Sequence, residues 1–96
     1  MSTLVPQHVE ALELANRIRL ARAQVKRDLR DGSLSLAEAL ELECVRSMPL
    51  VALLGAQYRW GRARAFRVVR EVGCSENQRV GLLTDRQRAI VLRLAA

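Results

Sequence analysis

Two capping boxes constrain this chain more than any other feature. In Ser35-Leu-Ala-Glu38 and again in Thr84-Asp-Arg-Gln87, a hydroxyl residue stands three positions before a Glu or Gln. Each side chain then satisfies the other residue's free backbone N–H, which marks a helix start at a definite residue. Glycines supply the stops: Gly32 can take the left-handed conformation that ends helices, and Gly55 and Gly73 mark two further helix ends. Pro6 and Pro49 fit first helical turns, where a missing N–H has no partner to lose. The chain so bracketed predicts a long first helix over about residues 6–31, with Ala11, Leu14, Ile18, Ala21, Val25 and Leu29 on one face. A short second helix runs through Leu36, Ala39 and Leu40 to about Glu43. A third opens at Ser47-Met-Pro-Leu50, and a fourth covers about Arg62–Val72. A last one follows Thr84 through Ile90, Val91 and Leu94. Between Gly73 and Thr84 the polar stretch GCSENQRVGLL has room for two consecutive turns. No segment alternates in the manner of a strand. The expected fold class is all-α, a single five-helix domain over residues 1–96.

A chain of 96 residues builds one modest core and not two. Half of it is apolar but only three residues are aromatic, so that core has to be aliphatic. Two cysteines, Cys44 and Cys74, and one histidine, His8, are too few for a disulfide framework or a metal site. Glu38, Glu41 and Glu43 read as capping or solvated groups of a short helix, and no glycine-rich phosphate loop is present. No catalytic residue, metal ligand or cofactor is expected. The longest uncharged stretch, Ser47–Tyr58, has 12 residues, too few to span a bilayer, and the N-terminus lacks a secretory pattern. A cytoplasmic protein without a membrane partner is the expectation.

Charge points to a partner. The net charge is +6, and it is unevenly placed: residues 1–45 carry six basic and seven acidic side chains, residues 46–96 ten and three. A positive C-terminal half is what a polyanion-binding surface requires. The stretch YRWGRARAFR, residues 58–67, concentrates Tyr58, Trp60 and Phe66 with Arg59, Arg62, Arg64 and Arg67. On a helical wheel Ala65, Val68, Val69 and Val72 fall on one side and Arg64, Arg67 and Arg70 opposite. The free N–H groups at this helix start suit a phosphate. Gly61 allows close backbone approach, and Arg59 and Arg62 flank it. Trp60 reads as packing under the loop or presenting its indole N–H to a sugar–phosphate edge; Tyr58 and Phe66 read as core. A second candidate site is Asn77, Gln78 and Arg79 with Arg86 and Arg88, side chains that bond base edges or phosphates equally well. In the first helix Arg19, Arg22, Lys26 and Arg30 line one arc, read as a solvated flank.

Taken together, RLARAQVKRDLRDGSLSLAEAL, LVALL, RARAFRVVREVGCSENQRVG and LTDRQRAIVL resemble the actinobacterial integration host factors, small nucleoid-associated proteins unrelated in fold to the two-chain enterobacterial factor. The similarity covers roughly residues 14–94 and rests on the order and spacing of all these stretches. It implies a helix-two-turns-helix DNA-binding unit over about 47–94 and non-enzymatic, weakly sequence-specific binding to duplex DNA. It also implies bending or compaction and assistance to site-specific recombination, with a recombinase or a host nucleoid protein as a further partner. The family's glycine hairpin maps onto Arg59-Trp60-Gly61-Arg62 and its arginine-rich turn onto Gln78-Arg79-Val80-Gly81. Relatives carry more glycine in the hairpin and more arginine in the turn, departures that fit a divergent copy such as a bacteriophage would carry. The alternative they motivate is a protein–protein module that modulates a host nucleoid factor. No heptad pattern for a coiled coil is visible, so a monomer is expected.

Overall fold

The computed structural model describes the backbone of residues 7–95 and side chains from Val9 onward; Pro6 and the side chain of His8 lie outside the described residues. Five α-helices follow in order: α1 (Gln7–Asp31), α2 (Leu36–Leu40), α3 (Leu50–Gly55), α4 (Arg62–Val72) and α5 (Asp85–Leu94). Two 3-10 turns, Glu43–Val45 and Val80–Leu82, lie between them. Among the described residues the only β-type pairing is one antiparallel bridge between Pro49 and Arg79.

Both capping boxes form. Ser35 Oγ accepts the Glu38 N–H at 3.1 Å and Glu38 Oε1 accepts the Ser35 N–H at 3.0 Å. Thr84 and Gln87 repeat the pair at 3.1 and 3.0 Å. The Ser35 backbone N–H, with the Ser35 side chain second, holds the Glu38 carboxyl below its ordinary range. Gly73 ends α4 at φ 85°, a left-handed cap open chiefly to glycine. Two boundaries differ from expectation: α2 stops at Leu40, and Pro49 is the N-cap of α3 instead of part of its first turn. The 3-10 turn at Glu43–Val45 takes up the chain between them, burying Val45.

The core is aliphatic. Leu50, Leu53 and Leu54 of α3, Val69 of α4, Val91 of α5, Ala39 and Val45 are fully buried, and Trp60 is the aromatic that joins them. α3 sits at the centre, against α4, and α4 in turn packs on α5. The helix α1 departs from expectation. Only Val25 and Leu29 of its apolar face are buried, while Leu14 is 52% exposed and Ala11 and Ala21 also face solvent. At 1.5 Å per residue α1 is about 37 Å long, whereas the molecule measures 55 × 27 × 20 Å. The bundle covers the C-terminal part of α1 and the rest overhangs. Helical periodicity marks the side that can be buried, not whether another helix reaches it.

The turn after α4 is fastened to the segment before α3. Leu50 N–H donates to the Gln78 carbonyl at 2.8 Å, Val80 N–H to Met48 at 3.0 Å and Gly81 N–H to Arg46 at 2.8 Å. A Cβ on Gly81 would stand 3.0 Å from the Arg46 carbonyl oxygen, tighter than nine in ten real Cβ contacts, and that oxygen is held in place by the Gly81 N–H bond itself. Gly81→Ala is therefore expected to cost about 1–3 kcal/mol by overpacking, read as a lower urea midpoint with an unchanged m-value.

Candidate nucleic-acid interface

The hairpin between α3 and α4 takes its form from two residues at positive φ. Arg59 has φ 62° and Gly61 φ 57°. A non-glycine residue there costs on the order of 1 kcal/mol and persists only where its surroundings demand it. Nothing lies within 4 Å of a Cβ built on Gly61, so glycine is needed for conformation and the space around it stays open. Gly61 caps α4 without a side-chain bond. The first N–H groups of α4 are thus open to an outside anion, favoured by the helix dipole. Exposed Arg59 and Arg62 stand on either side.

Each aromatic of this stretch carries a guanidinium. Arg59 lies over Tyr58 at 5.2 Å, Arg62 over Phe66 at 5.8 Å and Arg64 over Trp60 at 4.2 Å. Trp60 is 7% exposed; as a direct contact to a sugar–phosphate edge it is corrected to a core residue that supports Arg64 from beneath. Tyr58 is the reverse case. The sequence reads it as core, whereas it is 64% exposed, because it follows the buried end of α3 onto the hairpin's outer surface. Phe66 is half-buried, and Arg64, Arg67 and Arg70 face solvent opposite buried Ala65, Val68 and Val69.

Two adjoining hollows join these residues to α1. One, of 340 Å³, is lined by Lys26, Arg30 and Arg62 over a floor that includes Ala52, Gly55 and Ala56. The next, of 510 Å³, shares Lys26 and Ala52 and adds Arg19, Arg22 and Arg79. Six cations line this groove and no carboxylate does. Ala52, Gly55 and Ala56 keep that part of the floor low, beside the larger Val51 and Phe66. Arg22 and Arg79 are held in place at Ser47. Arg22 donates from Nε to the Cys44 carbonyl at 2.7 Å and from Nη2 to the Ser47 hydroxyl, while Arg79 donates to the Ser47 carbonyl. The arc Arg19, Arg22, Lys26, Arg30, read from sequence as a solvated flank, is one wall of the groove. Its charge sits in the half of the chain whose net charge is negative, which hid it. Its four-residue rhythm was the available signal.

The second candidate set is only partly brought to this place. Arg79 lines the groove, and Gln78 is half-buried, donating to the Arg79 carbonyl at 3.3 Å. Asn77 and Arg86 are exposed but line neither hollow. Arg88 is engaged within the protein: it bonds Glu41 Oε1 at 3.0 Å and clips α5 to the end of α2. Its role as a free contact is corrected accordingly. Among the described residues no three His, Cys, Asp or Glu side chains gather as metal ligands, and no helix is long and apolar enough to cross a membrane. Cys44 and Cys74 are unpaired, and burial pushes the Cys74 thiol up.

No family model matches the chain. It is similar, however, to the integration host factor of Mycobacterium tuberculosis, with 33% identity over 90 residues that take in 90% of this chain and 86% of that protein. A solved structure of sIHF bound to an 8-bp palindromic DNA superposes with a TM-score of 0.80 at 32% identity, covering 88% of this chain and 99% of that one. Sharing both sequence over nine-tenths of its length and the arrangement of its helices, the chain belongs to the mycobacterial-type integration host factor family.

Proposed function

We propose that this chain is a duplex-DNA-binding architectural protein that seats the phosphate backbone in the groove between α1 and the α3–α4 hairpin. The observation that carries this reading is the groove itself, with six cations and no carboxylate along its walls. Such a surface attracts any polyanion, and the likeness to a relative solved with DNA favours a duplex as the ligand. Contacts of this type position a protein on DNA without reading bases, so recognition is weakly sequence-specific. The α4 N-terminus adds a phosphate site beside Arg59 and Arg62. A protein that grips backbone without reading sequence can shape DNA for other machinery. We accordingly place it at the nucleoid, as an accessory to site-specific recombination.

The test is titration of labelled random duplex, single strand and duplex RNA across a salt series. The reading requires a complex with random duplex at low salt that weakens steeply as salt rises. Absence of that complex would sink it, and a preference for duplex RNA would redirect it. A twofold or smaller difference between random and recombination-site DNA is expected.

A further inference from the structure

Leu82 is the most exposed large apolar side chain among the described residues, at 72%. Single exposed leucines are ordinary, but the setting of this one is not. It stands on the second turn of the helix-two-turns-helix unit, and its backbone is fixed. The Leu82 N–H donates to Arg79 at 3.1 Å, and the preceding N–H groups of Val80 and Gly81 are bonded across to Met48 and Arg46. On either side Val80 and Leu83 are buried, at 1% and 8%, so the turn cannot roll Leu82 inward without pulling them out. The exposed leucines of α1 share none of this, since they ride on an overhanging helix.

Its neighbours are cationic. Leu82 lines a shallow hollow of 280 Å³ with Arg46, Ser47, Arg79 and Gly81. The Arg79 guanidinium is aimed by its bond to the Ser47 carbonyl. Arg46 pairs with Glu43 at 4.0 Å, the two side chains being 62% and 89% exposed, a pair too wet to neutralise the site. Burying this patch against an apolar protein surface would strand two arginines without partners. A duplex offers both arginines phosphates and the leucine an apolar slot, because minor-groove walls are sugar edges and base steps can open to an apolar wedge.

We propose that Leu82 is a minor-groove wedge: it presses against or between base pairs while Arg46 and Arg79 hold the flanking phosphates, and so kinks the duplex this protein binds. The inference rests on the duplex-DNA reading above and adds the residue that deforms the DNA.

The experiment compares the full chain with Leu82→Ala, Leu82→Gln and Leu82→Met on one duplex. End-to-end energy transfer reports the bend, and 2-aminopurine in TA steps, the easily unstacked ones, reports insertion. Wild type and Leu82→Met bend the duplex and raise the 2-aminopurine signal. Leu82→Ala and Leu82→Gln bind about tenfold more weakly, from the loss of buried apolar area, and lose both signals. Their melting temperature and salt slope stay at wild-type values, because no core contact and no phosphate contact has gone. Equal bending and insertion signals in wild type and Leu82→Ala overturn the wedge, as does a reduced salt slope in Leu82→Ala, which assigns the effect to the arginines. If wild type binds no duplex, the duplex reading falls first and the wedge with it.

Discussion

Replacing Trp60 by alanine is expected to destabilise the fold by about 3–5 kcal/mol, on the scale of the whole stability of a domain this size. Trp60 is 7% exposed and belongs to the same core cluster as Leu53, Leu54 and Val69. It packs from the hairpin, where Arg59 is held at a positive φ and the Trp60 N–H donates to Gln57 at 3.1 Å. Removing the indole leaves a cavity under the turn that presents Gly61 to solvent, and it takes away the ring on which Arg64 rests at 4.2 Å. A domain of 60–100 residues loses roughly 4–8 °C of Tm per kcal/mol, so the melt of Trp60→Ala should fall by at least about 12 °C. Trp60→Phe should fall by much less. A tryptophan serving as a surface contact behaves in the opposite way, with an unchanged melt and weakened binding.

The second large effect is electrostatic. Lys26, Arg30 and Arg62 line one hollow of the groove and are exposed, so neutralising all three leaves the core intact. Each phosphate contact contributes a slope of about 0.9 in log K against log salt. At 0.1 M salt, three such contacts amount to roughly 500-fold in affinity, while the melt of the free protein should move by no more than about 0.5 kcal/mol per site. Arg88→Ala makes the contrasting case. Its guanidinium bonds Glu41 at 3.0 Å, and its loss should register in stability before it registers in the salt slope.

Much of the fold is legible residue by residue because helix ends obey local chemistry. Ser35 with Glu38 and Thr84 with Gln87 close the capping boxes that their spacing announces, and Gly73 takes the left-handed cap. The split of α4 into buried Ala65, Val68 and Val69 and exposed Arg64, Arg67 and Arg70 follows from 3.6-residue periodicity. What was not legible depends on contacts between distant segments. Nothing local says that Ser47 will receive both Arg22 and Arg79, 25 and 32 residues away in sequence. The same holds for Arg88 finding Glu41. The overhang of α1 was missed because its apolar face continues past the point where the bundle ends. The Tyr58 and Trp60 assignments turn on the hairpin's backbone, since a positive φ at Arg59 sends neighbouring side chains to opposite sides. The groove combines both kinds of information: its residues are visible in the sequence, but the facing of α1 against Arg62 and Arg79 is tertiary.

That facing is the central claim, and one comparison tests it most directly. The salt dependence of binding to a random duplex is measured for wild type, for Lys26, Arg30 and Arg62 all changed to Ala, and for Arg17, Arg27 and Arg93 all changed to Ala. Both variants lose the same formal charge, but the second set lies outside the two hollows. The groove account predicts that the first variant loses about 2.7 from the slope of log K against log salt and the second keeps most of the wild-type slope. Equal losses in the two variants would contradict it, since binding would then follow net charge alone.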